Sequence, residues 1–303
     1  MLDSFEEIAM SCYAKGMSLR DMENLFQDIY KVKFNKDQLS YLISKVNENV
    51  EKWQNRKLKS IYPFIYIDCM YVYIKGEIIS EKRAVYVMIG IDITGKKEVI
   101  GMCIGNNEST SFWTNILEEI KERGVEEILF ISLDGLTGLS DAIEKVYSKT
   151  NTQRCIVHLT RNLYSICNKK EAKEIINDFK KIYKSPNKMI CEFYYNEFVD
   201  KYKDNKKLVK KVQEYITHIY PIMDYPEEIR KIIYTTNPIE SVNSALRKVT
   251  NGKGSFPNEE AVMKLLYLRI MELEKKWSKS IPNWSNILLQ LSEIFNDRIT
   301  KYL

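Results

Sequence analysis

Apolar residues in the first part of the chain recur at helical spacing, and no alternating run interrupts them over residues 5–53. This pattern predicts three helices, over Phe5–Lys15, Leu19–Tyr30 and Lys36 to about Trp53. Ser18 is expected to cap the second helix, with Asp21 at the capping-box position, and Asn35 is expected to cap the third.

The third predicted helix presents polar side chains that could meet DNA bases or phosphates, namely Gln38, Ser40, Tyr41, Ser44 and Lys45. Because only Gly16-Met17-Ser18 joins the two preceding helices, the three together suit a helix-turn-helix unit that binds DNA. A small packing module without a ligand would show the same pattern, so both interpretations stay open.

Beyond a polar, basic linker over residues 54–61, β-branched and aromatic residues dominate, which is typical of strands. Five strands are predicted, over Pro63–Ile74, Arg83–Asp92, Glu98–Ile104, Glu127–Asp134 and Gln153–His158. Short turns join the first three into an antiparallel meander, whereas helices at Ser109–Arg123 and Leu139–Ser148 imply parallel pairing of the later strands. The order βββαβαβ predicts an α/β (α+β) fold with a ribonuclease-H-like mixed five-stranded sheet.

Two aspartates stand out in these strands. Asp68 interrupts the first strand where burial on both faces is expected, and an unpaired buried carboxylate is costly. Asp134 ends an apolar strand and precedes Gly135, so its side chain can project at the carboxyl edge of the sheet. Side by side, the two could share divalent ions, for which oxygen ligands fit Mg²⁺ or Mn²⁺. The alternatives are an outward-facing Asp68 on an edge strand and an Asx turn at Asp134.

A third carboxylate, Glu240, lies on a predicted helix that ends at Gly252 and Gly254. Asn237 suits the N-cap and Pro238 the first helical position, which puts Glu240 at the capping-box position. One face of this helix is apolar (Val242, Leu246, Val249) and the other is polar (Glu240, Asn243, Ser244, Arg247). Glu240 is therefore either a cap or the third carboxylate of a two-metal site.

Between His158 and Glu240 the pattern is helical, lysine-dense and interleaved with aromatic residues. Such a segment either binds nucleic acid through lysines and stacked aromatics or forms a bundle with an aromatic core. Cys155 and His158 have metal-like spacing. With two histidines in the chain and no Cys-x-x-Cys pair, a packed Cys155 and a His158 near the carboxylates or bonded to backbone are favoured over zinc. Asn258 is expected to cap a long helix through Trp277, before a last helix.

Composition changes this picture little. The 303 residues are 45% hydrophobic and 29% charged, as in ordinary globular proteins, and the net charge of +5 hints only weakly at an anionic partner. The six cysteines are scattered and no signal peptide precedes them, which favours reduced thiols in the cytoplasm. No apolar run approaches the roughly 20 residues that span a membrane, so no membrane partner is expected.

The chain resembles the bacterial Mutator-type insertion-sequence transposases. The matching segments are YPFIYIDCMYV, AVYVMIGIDITGKKEVIG, FWTNILEEIKERGVEEILFISLDGLTGL, RCIVHLTRN, IYTTNPIESVNSALRKVTNGKGSFPNEEAVMKLLYL, YAKGMSLRDMENLF and EKWQNR. The resemblance covers nearly the whole chain and implies a ribonuclease-H-like core with a DDE triad, which falls on Asp68, Asp134 and Glu240. Cys155 and His158 match the family's Cys-x-x-His signature, and Asn237 precedes the helix of Glu240.

The resemblance implies an enzyme that uses two Mg²⁺ (or Mn²⁺) ions to cut double-stranded DNA at the element's terminal repeats and to join the 3′-hydroxyl to target DNA. Arg247 and Lys248 are predicted to contact DNA, as are Gln38, Tyr41 and Lys45. We expect a homodimer or higher oligomer on DNA, in the bacterial cytoplasm and associated with the nucleoid.

Family members are usually longer at the N-terminus, with a further helical DNA-binding segment before the point where this chain starts, so a shortened N-terminus is expected. A truncated transposase that binds DNA as a regulator or inhibitor, and a nuclease of the same fold, remain alternatives. The expected division is a helix-turn-helix segment (1–53), a linker (54–61), core strands (62–158), a helical insertion (159–233) and C-terminal helices that complete the catalytic core (234–303).

Overall fold

A five-stranded mixed sheet forms the centre of the molecule in the computed structural model, which describes residues 2–31, 36–105, 108–234 and 237–303. Its strands are β1 (Ile61–Lys75), β2 (Ser80–Ile91), β3 (Lys97–Gly105), β4 (Glu127–Leu133) and β5 (Asn151–Arg154). They lie in the order β3-β2-β1-β4-β5. β2 is antiparallel to β1 and β3, whereas β4 is parallel to β1 and β5. This is the ribonuclease-H-like arrangement predicted from the order of elements.

Fifteen α-helices surround the sheet in the described part of the chain. They are α1 (Leu2–Ala14), α2 (Leu19–Tyr30), α3 (Lys36–Ser44), α4 (Val46–Gln54), α5 (Thr110–Glu122), α6 (Leu139–Val146), α7 (Ile156–Ile166), α8 (Ala172–Tyr183), α9 (Lys188–Lys201), α10 (Lys206–Ile219), α11 (Glu227–Tyr234), α12 (Asn237–Thr250), α13 (Glu259–Glu274), α14 (Trp284–Phe295) and α15 (Asp297–Thr300). A 3-10 helix at Tyr220–Asp224 follows α10.

The sheet has a different helical cover on each face. On one face, α5 and α6 bury Trp113 and Leu139 against β1 and β4. On the other, the N-terminal, insertion and C-terminal helices share one continuous apolar core, in which Phe64 stacks on Phe130 with ring centroids 5.2 Å apart. Because both faces are covered, β1 and β4 are apolar along most of their length. An unneutralised charge in β1 is therefore exceptional.

The fifth strand is shorter than predicted. It ends at Arg154, and His158 lies instead in the first turn of α7. The run Cys155-Ile-Val-His158 is too short for periodicity to separate a strand from a helix. Its continuation decides the outcome, because Ile156, Leu159 and Leu163 fall on one buried helical face.

The third N-terminal helix is interrupted at Lys45, between α3 and α4. Beside this interruption, Ser44 Oγ donates to the Tyr41 carbonyl at 2.7 Å. The predicted cap of α2 is confirmed, since Ser18 Oγ accepts from the Asp21 N–H at 3.1 Å. Asn35 lies outside the described residues.

The helical insertion has an aromatic core. Phe179, Phe198 and Tyr215 are buried between α8, α9 and α10, as the bundle interpretation requires. Arg230 of α11 donates hydrogen bonds to the carbonyls of Ser185 and Pro186, which lie between α8 and α9.

Each of the six cysteines is a free thiol, in agreement with the prediction that they are not paired. Within the described ranges, the helices are too short or too polar for any of them to cross a lipid bilayer.

Candidate active site

The register between β1 and β4 places the two predicted aspartates next to each other. Ile67 pairs with Leu133 in this parallel ladder, so the residues that follow, Asp68 and Asp134, reach the same edge of the sheet. Asp68 is 4% exposed, which excludes the edge-strand alternative because β1 is the central strand. Gly135 adopts φ +68 directly after Asp134, a conformation that glycine reaches without strain and that turns the chain away from the sheet.

His158 joins this pair from the first turn of α7. Its Nδ1 lies 3.1 Å from Asp134 Oδ1, and its Nε2 lies 3.9 Å from Asp68 Oδ1. One ligand atom from each of the three side chains lies within 4.8 Å of the others. We call Asp68, Asp134 and His158 the acidic cluster.

The acidic cluster perturbs the titration of its members. Burial, followed by the neighbouring charge of Asp68, raises the pKa of the Asp134 carboxyl to about 7. Burial also lowers the pKa of the His158 imidazole, against the opposing effect of Asp68. At neutral pH the imidazole is therefore neutral, which is the form that binds a metal ion.

Asn243 on α12 supports Asp68. The two are 1% and 4% exposed, and Asn243 Nδ2 donates to Asp68 Oδ2 at 2.5 Å. The Cys69 N–H donates to Asp68 Oδ1 at 2.8 Å, so each carboxylate oxygen accepts a hydrogen bond. These two donors lessen the cost of placing a carboxylate in the core.

Glu240 lies in the same cleft as Asp68, but its carboxylate contacts Arg161. Its Oε1 accepts from Arg161 Nη2 at 2.5 Å, and Arg161 Nη1 lies 3.4 Å from His158 Nε2. The cleft has a volume of about 510 Å³ and is lined by Asp68, Arg161, Glu240, Asn243, Ser244, Arg247, Lys248 and Asn251. Glu240 therefore faces the solvent space beside Asp68 while its carboxylate is ion-paired. The Asn237 side chain, predicted to cap this helix, lies outside the described part of the chain.

The donor set fits a divalent cation. The two carboxylates are hard oxygen ligands that suit Mg²⁺ or Mn²⁺, and a neutral imidazole suits softer divalent ions. His158 Nδ1 and Asn243 Oδ1 are buried and make no aligned hydrogen bond with any residue in the described ranges. A cation at the acidic cluster would offset the repulsion between Asp68 and Asp134 and give the imidazole nitrogen a partner.

The predicted DNA-contacting residues lie at the surface in two groups. Arg247 and Lys248 are exposed at the cleft, and Arg247 Nη2 is 3.5 Å from the Cys69 carbonyl. Gln38, Tyr41 and Lys45 are exposed on and just after α3, as predicted. The Lys45 ammonium lies 5.4 Å from the centre of the Tyr41 ring and pairs with Glu6. Cys155, by contrast, is buried directly before α7 and packs in the interior, as expected.

Sequence reasoning missed Arg161 and did not assign Asn243 to the site. Arg161 follows His158 by three residues, so the two share a helical face, but this spacing has meaning only once His158 is placed on a helix. Asn243 follows Glu240 at the same spacing and was grouped with the polar face of α12. Its burial against Asp68 was not evident from that pattern.

The chain is similar in sequence to known transposases. The sequence profile of the family described as "Transposase, Mutator family" matches residues 2–280. A probable transposase for an ISRM3-like insertion sequence element from Sinorhizobium fredii is 34% identical over 299 residues, covering 97% of this chain and 74% of that protein. The ISRM3 transposase of Rhizobium meliloti is 33% identical, with coverage of 97% and 74%.

A probable transposase from Corynebacterium diphtheriae is 29% identical, and the alignment covers 100% of this chain and 94% of that protein. A solved structure described as a Drosophila P element transposase strand transfer complex aligns with a TM-score of 0.45 at 10% identity, covering 88% of this chain and 91% of that one. The match over residues 2–280 and the insertion-sequence relatives show that the chain belongs to the Mutator family of transposases and is an enzyme of that class.

Proposed function

We propose that this protein cuts double-stranded DNA at the ends of an insertion sequence and joins the released 3′-hydroxyl to target DNA by two-metal phosphoryl transfer. The observation that carries the proposal is the acidic cluster, in which Asp68 and Asp134 meet at the sheet edge beside a cleft that also contains Glu240. Membership of a transposase family is consistent with this chemistry.

In this proposal Asp68, Asp134 and Glu240 hold two Mg²⁺ or Mn²⁺ ions, and His158 is an additional candidate ligand that contacts both aspartates. When bound, the ions activate the attacking water or 3′-hydroxyl and stabilise the leaving oxygen. Asn243 fixes the Asp68 carboxylate through its hydrogen bond. Arg247 and Lys248 hold DNA phosphates at the cleft, where they are exposed.

We further propose that the exposed residues Gln38, Tyr41 and Lys45 contact the element's terminal repeats. We also propose that a homodimer or higher oligomer on DNA brings two element ends together. The chain would then work on chromosomal DNA in the bacterial cytoplasm, at the nucleoid.

Incubation of the full chain with labelled element-end DNA and Mg²⁺ tests the proposal. The wild-type protein should nick the DNA and produce joined strands, whereas Asp134→Ala and Glu240→Gln should bind the DNA without cutting it. Glu144→Gln on α6, where the side chain is exposed, is the matched control and should cut normally. DNA binding without any cutting in Mg²⁺ or Mn²⁺ would reject the enzyme and favour a DNA-binding regulator. Cutting without joining would identify a nuclease, and cutting by Glu240→Gln would remove Glu240 from the metal site.

A further inference from the structure

The contact between Arg161 and Glu240 connects two parts of the candidate site. Arg161 Nη2 donates to Glu240 Oε1 at 2.5 Å, and its Nη1 lies 3.4 Å from His158 Nε2. The guanidinium thus stands between the Glu240 carboxylate and the acidic cluster. The Glu240 carboxylate is ion-paired with Arg161. The ligand atoms of the three cluster residues lie within 4.8 Å of one another, and this group does not include Glu240.

This ion pair is exposed enough to exchange partners. The side chains of Arg161 and Glu240 are 56% and 28% exposed, and pairs this accessible to water contribute little to folding stability. A guanidinium also presents a fork of N–H donors that matches a phosphate as well as a carboxylate. A phosphate can therefore replace Glu240 at Arg161 without disturbing the core.

The surroundings favour a phosphate as that replacement. Arg161 shares its cleft with Arg247 and Lys248, so three cationic side chains face one space. Of these three described side chains, Arg161 forms the ion pair with Glu240. A DNA strand following the cleft would bring phosphates to all three cations.

We propose that Arg161 is a positioning residue that couples DNA binding to completion of the metal site. It holds Glu240 apart from the acidic cluster, and a DNA phosphate that takes its guanidinium frees Glu240 to join Asp68 and Asp134 as a ligand. This inference rests on the proposed function, because it assumes that Glu240 is a metal ligand and that DNA occupies the cleft.

Binding of Mn²⁺ to the full chain without DNA tests the coupling, with the EPR signal of free Mn²⁺ as the readout. Arg161→Gln should bind Mn²⁺ about tenfold more tightly than the wild type, because Glu240 is released to the cluster. Arg247→Gln is the matched control, since it removes a positive charge from the same cleft and Arg247 makes no ion pair with Glu240 within the described structure. It should tighten Mn²⁺ binding by less than Arg161→Gln.

A double-variant cycle separates release of Glu240 from a general charge effect. In a Glu240→Gln background, Arg161→Gln should tighten Mn²⁺ binding no more than Arg247→Gln does. An equal gain in both backgrounds, or no gain in the wild-type background, would overturn the positioning role. Neither measurement requires DNA cleavage. Failure of the wild type to cut DNA would therefore reject the proposed function, whereas unchanged Mn²⁺ affinity would reject the role of Arg161.

The phosphate contact has its own test in EDTA. Because a lost phosphate contact releases fewer counterions, Arg161→Gln should reduce the salt dependence of DNA binding by about one in the log–log slope. Glu240→Gln should tighten DNA binding, since its amide leaves Arg161 available to phosphate. An unchanged slope in Arg161→Gln would overturn the exchange of partners.

Discussion

Asp68 and Asp134 belong to one cluster but have different environments. Asp68 is buried and accepts hydrogen bonds from the Cys69 N–H and from Asn243. Asp134 is more exposed, lies against His158, and has a pKa raised to about 7, mainly by burial. A proton and a metal ion would therefore compete for Asp134 near neutral pH.

Asp134→Asn should stabilise the protein in the absence of metal, and more so at high pH. A pKa of about 7 in the folded chain, against 3.8 for an ordinary aspartate, means that folding favours the protonated carboxyl. That contribution is complete below the unfolded pKa and is lost as pH rises through about 7. The difference in pKa corresponds to a ceiling of about 4 kcal/mol at pH 8.

Urea unfolding in EDTA at pH 5 and pH 8 measures this effect. The gain in free energy of unfolding from Asp134→Asn should be clearly larger at pH 8. Equal gains at the two pH values would show that Asp134 does not titrate in this range.

Asn243→Ala should destabilise the fold, because it removes the donor that satisfies Asp68 Oδ2 and leaves a buried carboxylate oxygen unpaired. The expected loss is about 1–3 kcal/mol, measured by thermal or urea unfolding in EDTA. Ser244→Ala is the control, since Ser244 is the exposed next residue of α12. If Asn243→Ala lowers the free energy of unfolding no more than Ser244→Ala does, the hydrogen bond to Asp68 makes no net contribution to stability.

At the scale of elements, α12 positions two residues of the candidate site, because one of its faces packs in the core and the other faces the cleft. Val242 and Leu246 are fully buried on the apolar face, which fixes the rotation of the helix over the sheet. Glu240 and Asn243 are then directed to the cleft and to Asp68. The sequence predicted both faces from spacing alone, but the burial of Asn243 depends on a partner that lies 175 residues away.

The error at α7 shows where sequence patterns fail. Strand and helix are not distinguishable in a four-residue apolar run, so the sequence pattern places His158 on a strand whose side chains alternate. On α7, His158 and Arg161 share one face, and this brings Arg161 to Glu240. Asp68, Asp134 and Glu240 are candidates from sequence alone, whereas Arg161 is placed beside Glu240 only by the helix geometry.

Gly95 in the turn between β2 and β3 should not tolerate a side chain. It has φ +78, and a Cβ there would lie 2.4 Å from the Trp284 ring at the start of α14. Gly95→Ala should therefore lower the free energy of unfolding by at least about 2 kcal/mol, with a matching fall in Tm.

Gly252→Ala is the control for this substitution, because a Cβ at Gly252 would meet no described atom within 4 Å. Its effect should stay within about 0.5 kcal/mol. Equal effects of the two substitutions would show that the turn and α14 do not constrain each other.

At the scale of the whole molecule, the N-terminal helices are continuous with the body of the protein. Ala9 and Phe26 belong to the same apolar core as the sheet residue Phe64, and Ser11 Oγ donates to Glu272 on α13. Helix period and short connections predict α1, α2 and the arrangement of the strands, but not α7 or the break between α3 and α4. Their docking onto α13 could not be predicted, because it depends on contacts between distant segments.

Tyr41→Ala and Lys45→Ala should weaken DNA binding without changing Tm, because both side chains are exposed. Loss of the lysine should lower the salt dependence of DNA affinity by about one in the log–log slope. Lys52→Ala on α4, where the ammonium is also exposed, is the control and should change neither quantity. Unaltered affinity in both variants would place the DNA-binding surface elsewhere.

The distance along the chain between the site's parts has a consequence for synthesis. Asp68 and Asp134 leave the ribosome well before Asn243 and Glu240, which arrive only with α12. A nascent chain interrupted in the insertion has a central strand with an unsupported carboxylate and lacks Glu240, the proposed third metal ligand. Chains stopped after Tyr234 should therefore fail to cut DNA in the assay described above. A cell that makes unfinished copies of this protein would then keep its DNA uncut, because α12 with Asn243 and Glu240 is synthesised after Asp68 and Asp134.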